Sequence, residues 1–302
     1  MRFWGPNILI DGTLMRTNVT DLPFRNGPPP KTANPADAID ANVIPNNPDA
    51  AAQYEFQTQE ILRTIEGNPV GKILLDAFTG ERHSVTIRPM TVEVGLAISA
   101  QAEQEDDTGA QNGAGSEVTI WYDKKFLNAI TPSAHDPDHH VGRDDALFHE
   151  CVHAMRMIRG VWKPIAMPSW GNREELYAVA LTNIYLAREG RSRDMRGDHA
   201  NILHLLDESL RWGASEKTHD REGEAFFRTY RTEFNEFRND TSNIYFPIAR
   251  LPLGWNPLRE CEDAFNAANR FSPGVLELGP GQDQSGKGWI PMENPFGGWT
   301  PH

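Results

Sequence analysis

The sequence predicts an α+β fold that is mainly helical with a small mixed or antiparallel sheet, and two observations support this class. In several long stretches apolar residues recur every three or four positions, at about 51–67, 70–78, 144–159, 173–189, 198–212, 222–238 and 256–269. Besides an amino-terminal hairpin, short segments suited to strands occur at only three places, 83–88, 92–98 and 116–122. The helical stretches therefore dominate.

The first 50 residues are predicted to form a hairpin and a tether. Residues 7–10 make an apolar strand, Asp11-Gly12 a turn, and a second mixed run follows to about residue 27. The next segment is rich in Pro, Asn and Asp, as in an extended linker. Residues 51–215 are predicted as a central domain, and residues 216–302 as a helical extension with a Gly- and Pro-rich tail that packs on it.

Glycines punctuate the central domain. Gly67, Gly80 and Gly160 follow predicted helices, as expected of residues that close a helix. The segment 108–115 between two strand candidates is also rich in glycine, but it has no Gly-Lys-Ser/Thr ending and no helix signal follows it. A hairpin loop is therefore predicted there instead of a phosphate-binding loop.

Composition excludes several classes of protein. The 302 residues carry a formal net charge of −13, which repels a nucleic-acid backbone, so no nucleic-acid partner is expected. No stretch approaches the roughly 18 apolar residues of a membrane span. Two cysteines cannot make a disulfide framework. The apolar run Ile8–Ile10 is too short for the core of a cleavable signal peptide.

The helix predicted at 144–159 contains an H-E-x-x-H motif, His149-Glu150-Cys151-Val152-His153. At about 100° per residue, the two histidines lie about 40° apart around the axis and one turn apart along it, so both imidazoles can hold one zinc ion. Glu150 can then reach a water molecule on the metal and is the candidate general base. Two core histidines bonded to the backbone are the alternative. The surrounding residues are almost all apolar, and buried imidazoles and carboxylates are costly unless a ligand satisfies them.

A catalytic zinc ion needs a third protein ligand and one position for water. A third histidine downstream is missing, because Arg156 and Arg159 occupy the positions of an H-x-x-G-x-x-H continuation. A glutamate on the next helix is the other common arrangement, and Glu174 and Glu175 begin the helix at 173–189. They point about 100° apart, so one is expected to face the metal. Glu175 is favoured because it lies beside Val179 on the apolar face, although an acidic pair at a helix start also complements the helix dipole.

These motifs resemble those of the NleD-like zinc metallopeptidases, which are bacterial effectors injected into host cells. The similar segments fall between about residues 53 and 205 and comprise Gly71–Leu75, Val85–Ile87, Leu147–Ala154 with Arg156 and Gly160, Glu174-Glu175 and Thr182–Tyr185. The resemblance implies a zincin-like domain with a gluzincin-like site. In that site His149 and His153 are ligands of Zn2+, Glu150 is the base, and the 174–175 pair supplies an acidic ligand. Related domains also occur in contact-dependent bacterial toxins.

Two further elements are candidates for contact with the substrate. His199 is a candidate catalytic residue that stabilises the charge developing on the carbonyl oxygen, with Tyr177 and Tyr185 as alternatives. Its neighbour Asp198 equally suits a helix N-cap. The strand predicted at 118–122 is a candidate for binding the substrate main chain by β-augmentation, with a plain structural strand as the alternative.

The sequence therefore predicts a zinc-dependent endopeptidase in which Glu150 is the general base toward zinc-activated water. The expected partners are a protein or peptide substrate in a host or rival cell, and a cognate immunity protein or secretion chaperone. Secretion from the cytoplasm through a specialised bacterial system, without a cleavable signal peptide, is expected. The alternatives are a deformylase-like amidase with Cys261 as third ligand, and a non-catalytic effector that binds a target protein, with a structural or lost metal site.

Overall fold

The computed structural model describes residues 1–19, 43–92, 100–123, 142–168, 170–188, 191, 195–197, 199, 216–253 and 255–270. These residues form helices and a mixed sheet, which confirms the predicted α+β class. Residues Met1–Ala264 make one compact unit. The second unit, Phe265–His302, is described only as far as residue 270, where the last helix ends.

Seven strands form the mixed sheet: β1 (Arg2–Trp4), β2 (Ile8–Ile10), β3 (Leu14–Val19), β4 (Val43–Pro45), β5 (Val85–Val92), β6 (Ala100–Gln104) and β7 (Val118–Tyr122). β5 is central, since β2, β3 and β7 all pair with it in parallel. β1, β4 and β6 pair antiparallel with β2, β3 and β7 in that order. Ile10, Ile87 and Ile120 have no exposed surface and bring the three central strands into the core.

The amino-terminal turn differs from the prediction. The antiparallel hairpin joins β1 to β2, and Gly5 between them has a φ of 67°, a conformation that favours glycine. At the predicted turn, Asp11 instead continues the pairing of β2 by donating its N–H to the Ile87 carbonyl. A Cβ on Gly12 would lie 2.5 Å from the Ala51 carbonyl oxygen, so this glycine serves a close approach to the first helix.

Nine helices occur among the described residues: α1 (Pro48–Gly67), α2 (Pro69–Asp76), α3 (Asp107–Gln111), α4 (Arg143–Ile158), α5 (Arg173–Arg188), α6 (Glu216–Thr229), α7 (Arg231–Asp240), α8 (Ser242–Ala249) and α9 (Pro257–Arg270). The short strands β8 (Ala166–Met167) and β9 (Gly171–Asn172) pair between α4 and α5. None of these helices combines the length and apolar character needed to span a membrane.

Helices α4 and α5 position the candidate site, and both follow the predicted ranges closely. Nearly every side chain of each helix is buried, because the two pack on each other inside the core. Gly160 follows α4 with a φ of 71°, and a Cβ there would lie 2.6 Å from the Gly113 backbone. Asn172 begins α5, since its Oδ1 accepts the N–H groups of Glu174 and Glu175 at 2.9 and 3.2 Å.

Other elements depart from the predicted pattern. The helix predicted at 222–238 is divided into α6 and α7 at Tyr230, whose φ of −115° and ψ of 33° are not helical. β4, β6, β8, β9, α3 and α8 were not predicted, and α3 occupies part of the segment 108–115 that was predicted as a hairpin loop. Most of the strand at 92–98, most of the helix at 198–212, most of the tether and the tail beyond residue 270 lie outside the described residues. The domain boundaries at 50 and 215 stay predictions.

Candidate metal centre

Helices α4 and α5 bring His149, His153 and Glu175 to one point. Glu175 Oε2 lies 3.1 Å from His149 Nε2 and 3.1 Å from His153 Nε2. The two Nε2 atoms are 3.0 Å apart. The two histidines project from one side of α4, as their spacing predicts, and both are buried with 8% and 4% exposure. Two residues on α4 and one on α5 therefore converge through their polar atoms.

His199 joins this cluster from beyond α5. Its Nε2 lies 3.2 Å from Glu175 Oε2, and its ring stacks on that of His149 with centroids 5.8 Å apart. Asn183 on α5 holds the preceding segment, because its side chain donates to the Arg196 carbonyl at 2.8 Å and accepts the Arg196 N–H at 2.9 Å. This role of Asn183 is not predicted from the sequence, since an amide inside an apolar helix gives no signal of its partner.

The donor set fits a zinc ion. Imidazole nitrogen and carboxylate oxygen bind zinc at about 2.0–2.2 Å in tetrahedral geometry, which places neighbouring ligand atoms about 3.4 Å apart. The separations of 3.0–3.2 Å in the cluster are close to that value. Ligand atoms of His149, Glu175 and His199 all lie within 4.8 Å of one another. A single small cation could therefore be reached by all of these side chains.

Burial and charge set the protonation of the cluster. Burial lowers the pKa of His149 to about 3, so its imidazole is neutral and keeps a nitrogen lone pair. Burial acts in the same direction on His153, but the charge and hydrogen bond of Glu175 outweigh it and raise that pKa to about 9. Burial alone would raise the pKa of Glu175, whereas the charge of His153 and the imidazole hydrogen bonds hold it well below its usual range. The carboxylate is therefore ionised.

Glu150 lies between this cluster and the sheet. Its Oε2 accepts the backbone N–H of Ala102 on β6 at 2.7 Å. Burial raises the pKa of Glu150 to about 7, although the charge of His153 and the Ala102 N–H favour the ionised form. A carboxyl group with a pKa near neutrality can both take up and release a proton.

The strand nearest the candidate base is β6, not β7. Val118–Tyr122 is the strand predicted to bind the substrate main chain. This strand, β7, is hydrogen-bonded to β5 on one side and to β6 on the other, so both of its edges are occupied. Among the described residues β6 pairs with β7 alone. Its outer edge carries the Ala102 N–H that reaches Glu150.

Residues 43–191 match the Peptidase_M91 family, described as effector protein. The match confirms the resemblance to NleD-like effector peptidases predicted from the sequence, and it covers just under half of the chain. This M91 region includes α4 and α5, and hence His149, Glu150, His153 and Glu175. No curated protein and no solved structure matches the chain.

Two parts of the site surroundings lie outside the M91 region. His199 follows its end by eight residues, and helices α6 to α9 come later still. Cys261, the thiol of the amidase alternative, is on α9 with its Sγ 3.5 Å from Asn235 Oδ1 of α7. The group of metal-capable side chains found among the described residues contains histidine and glutamate and no cysteine.

Glu174, the other candidate carboxylate, takes a separate place. It has no exposed surface and forms an ion pair with the equally buried Arg156 of α4. In the sequence, Arg156 only excludes a third histidine, and its partner is not predicted. An arginine among apolar residues of a buried helix is the signal that could have indicated a buried acid nearby.

Proposed function

We propose that the chain is a zinc-dependent endopeptidase of the effector class, with a zincin-like catalytic domain. The observation that carries the proposal is the convergence of His149, His153 and Glu175 at 3.0–3.1 Å inside a region that matches a peptidase family. His149, His153 and Glu175 are the proposed ligands. The effector description supports a protein substrate in a host or rival cell and delivery by a bacterial secretion system. An immunity protein or secretion chaperone stays a prediction.

Glu150 moves the proton in the proposed reaction. A bound zinc ion supplies Lewis-acid chemistry, which polarises the scissile carbonyl and lowers the pKa of water. Glu150 takes a proton from the attacking water and passes it to the leaving nitrogen. The pKa of about 7 caused by burial suits both steps, and the Ala102 N–H keeps the carboxylate oriented.

The outer edge of β6 is the proposed place for the substrate main chain. The Ala102 N–H points away from β7 toward Glu150. In an antiparallel strand the N–H and C=O of one residue face the same side, so the Ala102 carbonyl also faces the outer edge. A peptide paired along this edge would pass Glu150, which supports β-augmentation as the binding mode.

His199 is proposed to donate a hydrogen bond to the carbonyl oxygen as negative charge develops there. Its support is the 3.2 Å distance to Glu175, which brings its Nε2 to the side of the metal ligands. The same distance allows a role as a further ligand. The His199→Gln variant separates the roles: a catalytic donor affects kcat with zinc content unchanged, whereas a ligand affects zinc content.

Zinc content and proteolysis of the purified full chain test the proposal. Elemental analysis should find about one zinc ion per chain. Glu150→Gln should keep the zinc and lower proteolysis of target-cell extracts, followed by proteomics, by about 100-fold to 10,000-fold. Glu224→Gln, which alters an exposed carboxylate of α6 paired with Arg228, is the control and should match the wild type. Full proteolysis by Glu150→Gln would exclude Glu150 as the general base. A wild type that binds its target without zinc and without cleavage would favour the non-catalytic alternative.

A further inference from the structure

A buried ion pair lies directly behind the proposed ligands. Glu174 precedes Glu175 on α5, and Arg156 follows His153 by three residues on α4. Arg156 Nε donates to Glu174 Oε2, and Arg156 Nη2 donates to Glu174 Oε1 at 3.1 Å. Both side chains have no exposed surface. The pair therefore joins the same two helices as the metal centre, within one turn of it.

Backbone groups extend the pair, although Arg156 Nη1 has no hydrogen-bond partner among the described residues. Glu174 Oε1 also accepts the Lys163 N–H at 2.7 Å, and Arg156 Nη2 donates to the Val161 carbonyl at 2.7 Å. The planar guanidinium binds a carboxylate in one bidentate orientation, so the contact fixes the direction of the Glu174 side chain as well as its distance from Arg156. Glu174 is thereby held toward Arg156, and the next residue, Glu175, must point about 100° away.

The rotation of α5 about its axis is what this contact controls. Side chains end about 5–6 Å from a helix axis, so a rotation of about 20° would move the Glu175 carboxylate by about 2 Å. A productive metal site tolerates displacements of about 0.5 Å. The three imidazoles all contact Oε2 of Glu175, so the direction of this carboxylate depends on the helix that carries it.

Helix α7 supports the pair from outside the M91 region. Asp240 Oδ2 lies 3.1 Å from Lys163 Nζ and 3.6 Å from Arg156 Nη2. The Tyr177 hydroxyl of α5 donates to the Glu233 carbonyl at 2.9 Å. The ring of Phe237 lies 4.9 Å from that of Tyr177, and the Arg156 guanidinium lies 4.7 Å above Tyr177. Asp240, the aromatic contacts and the Tyr177 hydrogen bond therefore connect α7 to both α4 and α5.

We infer that Arg156, Glu174 and Asp240 are positioning residues that aim Glu175 at the two histidines, so that metal affinity depends on α7. The inference rests on the proposed function. A stabilising role alone does not account for the pair, because replacing a buried ion pair by uncharged side chains is often neutral or stabilising. A bidentate ion pair fixes the relative orientation of its two side chains, whereas an apolar contact does not.

Zinc affinity and stability, measured separately on the full chain, test the inference. The variants are Asp240→Asn and the double variant Arg156→Met/Glu174→Gln, which removes both charges and keeps an oxygen for the Lys163 N–H. Glu262→Gln is the matched control, because Glu262 is about as buried as Asp240. Its carboxylate pairs with Arg238 of α7 at 3.0 Å, so this ion pair involves no residue of α4 or α5. Chelator competition gives the zinc Kd, and thermal unfolding of the metal-free protein gives stability.

The positioning role predicts a loss of affinity without a matching loss of stability. Zinc Kd should rise about 10-fold in Asp240→Asn and about 100-fold in the double variant, and the Co2+ absorption spectrum should change. Glu262→Gln should keep both. Wild-type Kd and Co2+ spectrum in a folded Asp240→Asn or double variant would overturn the inference and leave the proposed function standing. A wild type that takes up neither metal would overturn both.

Discussion

Two sides of the α4–α5 helix pair bury ionisable groups with opposite results. On one side, Arg156 and Glu174 form a bidentate ion pair that also reaches two backbone groups. On the other side, three imidazoles surround one oxygen of Glu175. The first arrangement is a bidentate contact between two side chains, whereas the second gathers three ring nitrogens around a single carboxylate oxygen. Adjacent glutamates thus differ in surroundings, and of the two arrangements the second gathers the nitrogen and oxygen donors that suit a zinc ion.

The largest expected effect comes from breaking the Arg156–Glu174 pair. Arg156→Ala leaves Glu174 buried without its cation, so the free energy of unfolding should fall by about 3–5 kcal/mol. Arg159→Ala is the comparison, because Arg159 lies at the end of the same helix but its pair with Glu81 is partly exposed. That substitution should cost about 1 kcal/mol or less. Urea unfolding of both metal-free variants measures the difference, and equal losses would remove the distinction between the two pairs.

The residues around Glu175 could be predicted from the sequence more readily than the Arg156–Glu174 pair. The H-E-x-x-H spacing predicts that both histidines lie on one side of a helix, and the glycine after α4 predicts where that helix ends. The apolar face of α5 favours Glu175 over Glu174. Arg156 finds its partner across helices, at a distance that no local pattern encodes. His199 is similar, since Asn183 holds the segment before it through backbone hydrogen bonds.

The sheet shows the same limit. β5 and β7 have β-branched and aromatic residues and were predicted near their observed ranges. β6 has the sequence Ala-Gln-Ala-Glu-Gln, which lacks both residue classes. Its extended conformation comes from antiparallel pairing with β7, which is a tertiary effect. The strand closest to Glu150 was therefore the one that local propensity could not indicate.

Asp145 tests whether a single neighbouring cation is enough to keep a buried carboxylate ionised. It accepts a hydrogen bond from Arg191 Nη2 at 3.0 Å, yet burial raises its pKa to about 7. Because this folded-state pKa lies above the unfolded value of 3.8, protonated Asp145 contributes stability that is complete below about pH 4 and is lost as the pH rises through about 7. Asp145→Asn cannot ionise, so its unfolding free energy relative to wild type should increase by about 3 kcal/mol between pH 5 and pH 8. Parallel curves in urea unfolding over this range would mean that Arg191 suffices.

The smallest expected effect concerns the hydrogen bond between Glu150 and β6. Proline lacks an N–H and is tolerated where that group faces away from the sheet, so Ala102→Pro should keep the pairing with β7 and remove the Ala102 donor. Loss of a donor to the ionised carboxylate raises the pKa of Glu150, and the acidic limb of kcat/KM should move up by about one pH unit. Gln104→Pro is the control. The Glu105 N–H donates to the Glu117 carbonyl, on the side of β7, so the Gln104 N–H faces outward like that of Ala102, two residues away. A limb that moves equally in both variants would trace the shift to the strand as a whole and not to the hydrogen bond that holds the base.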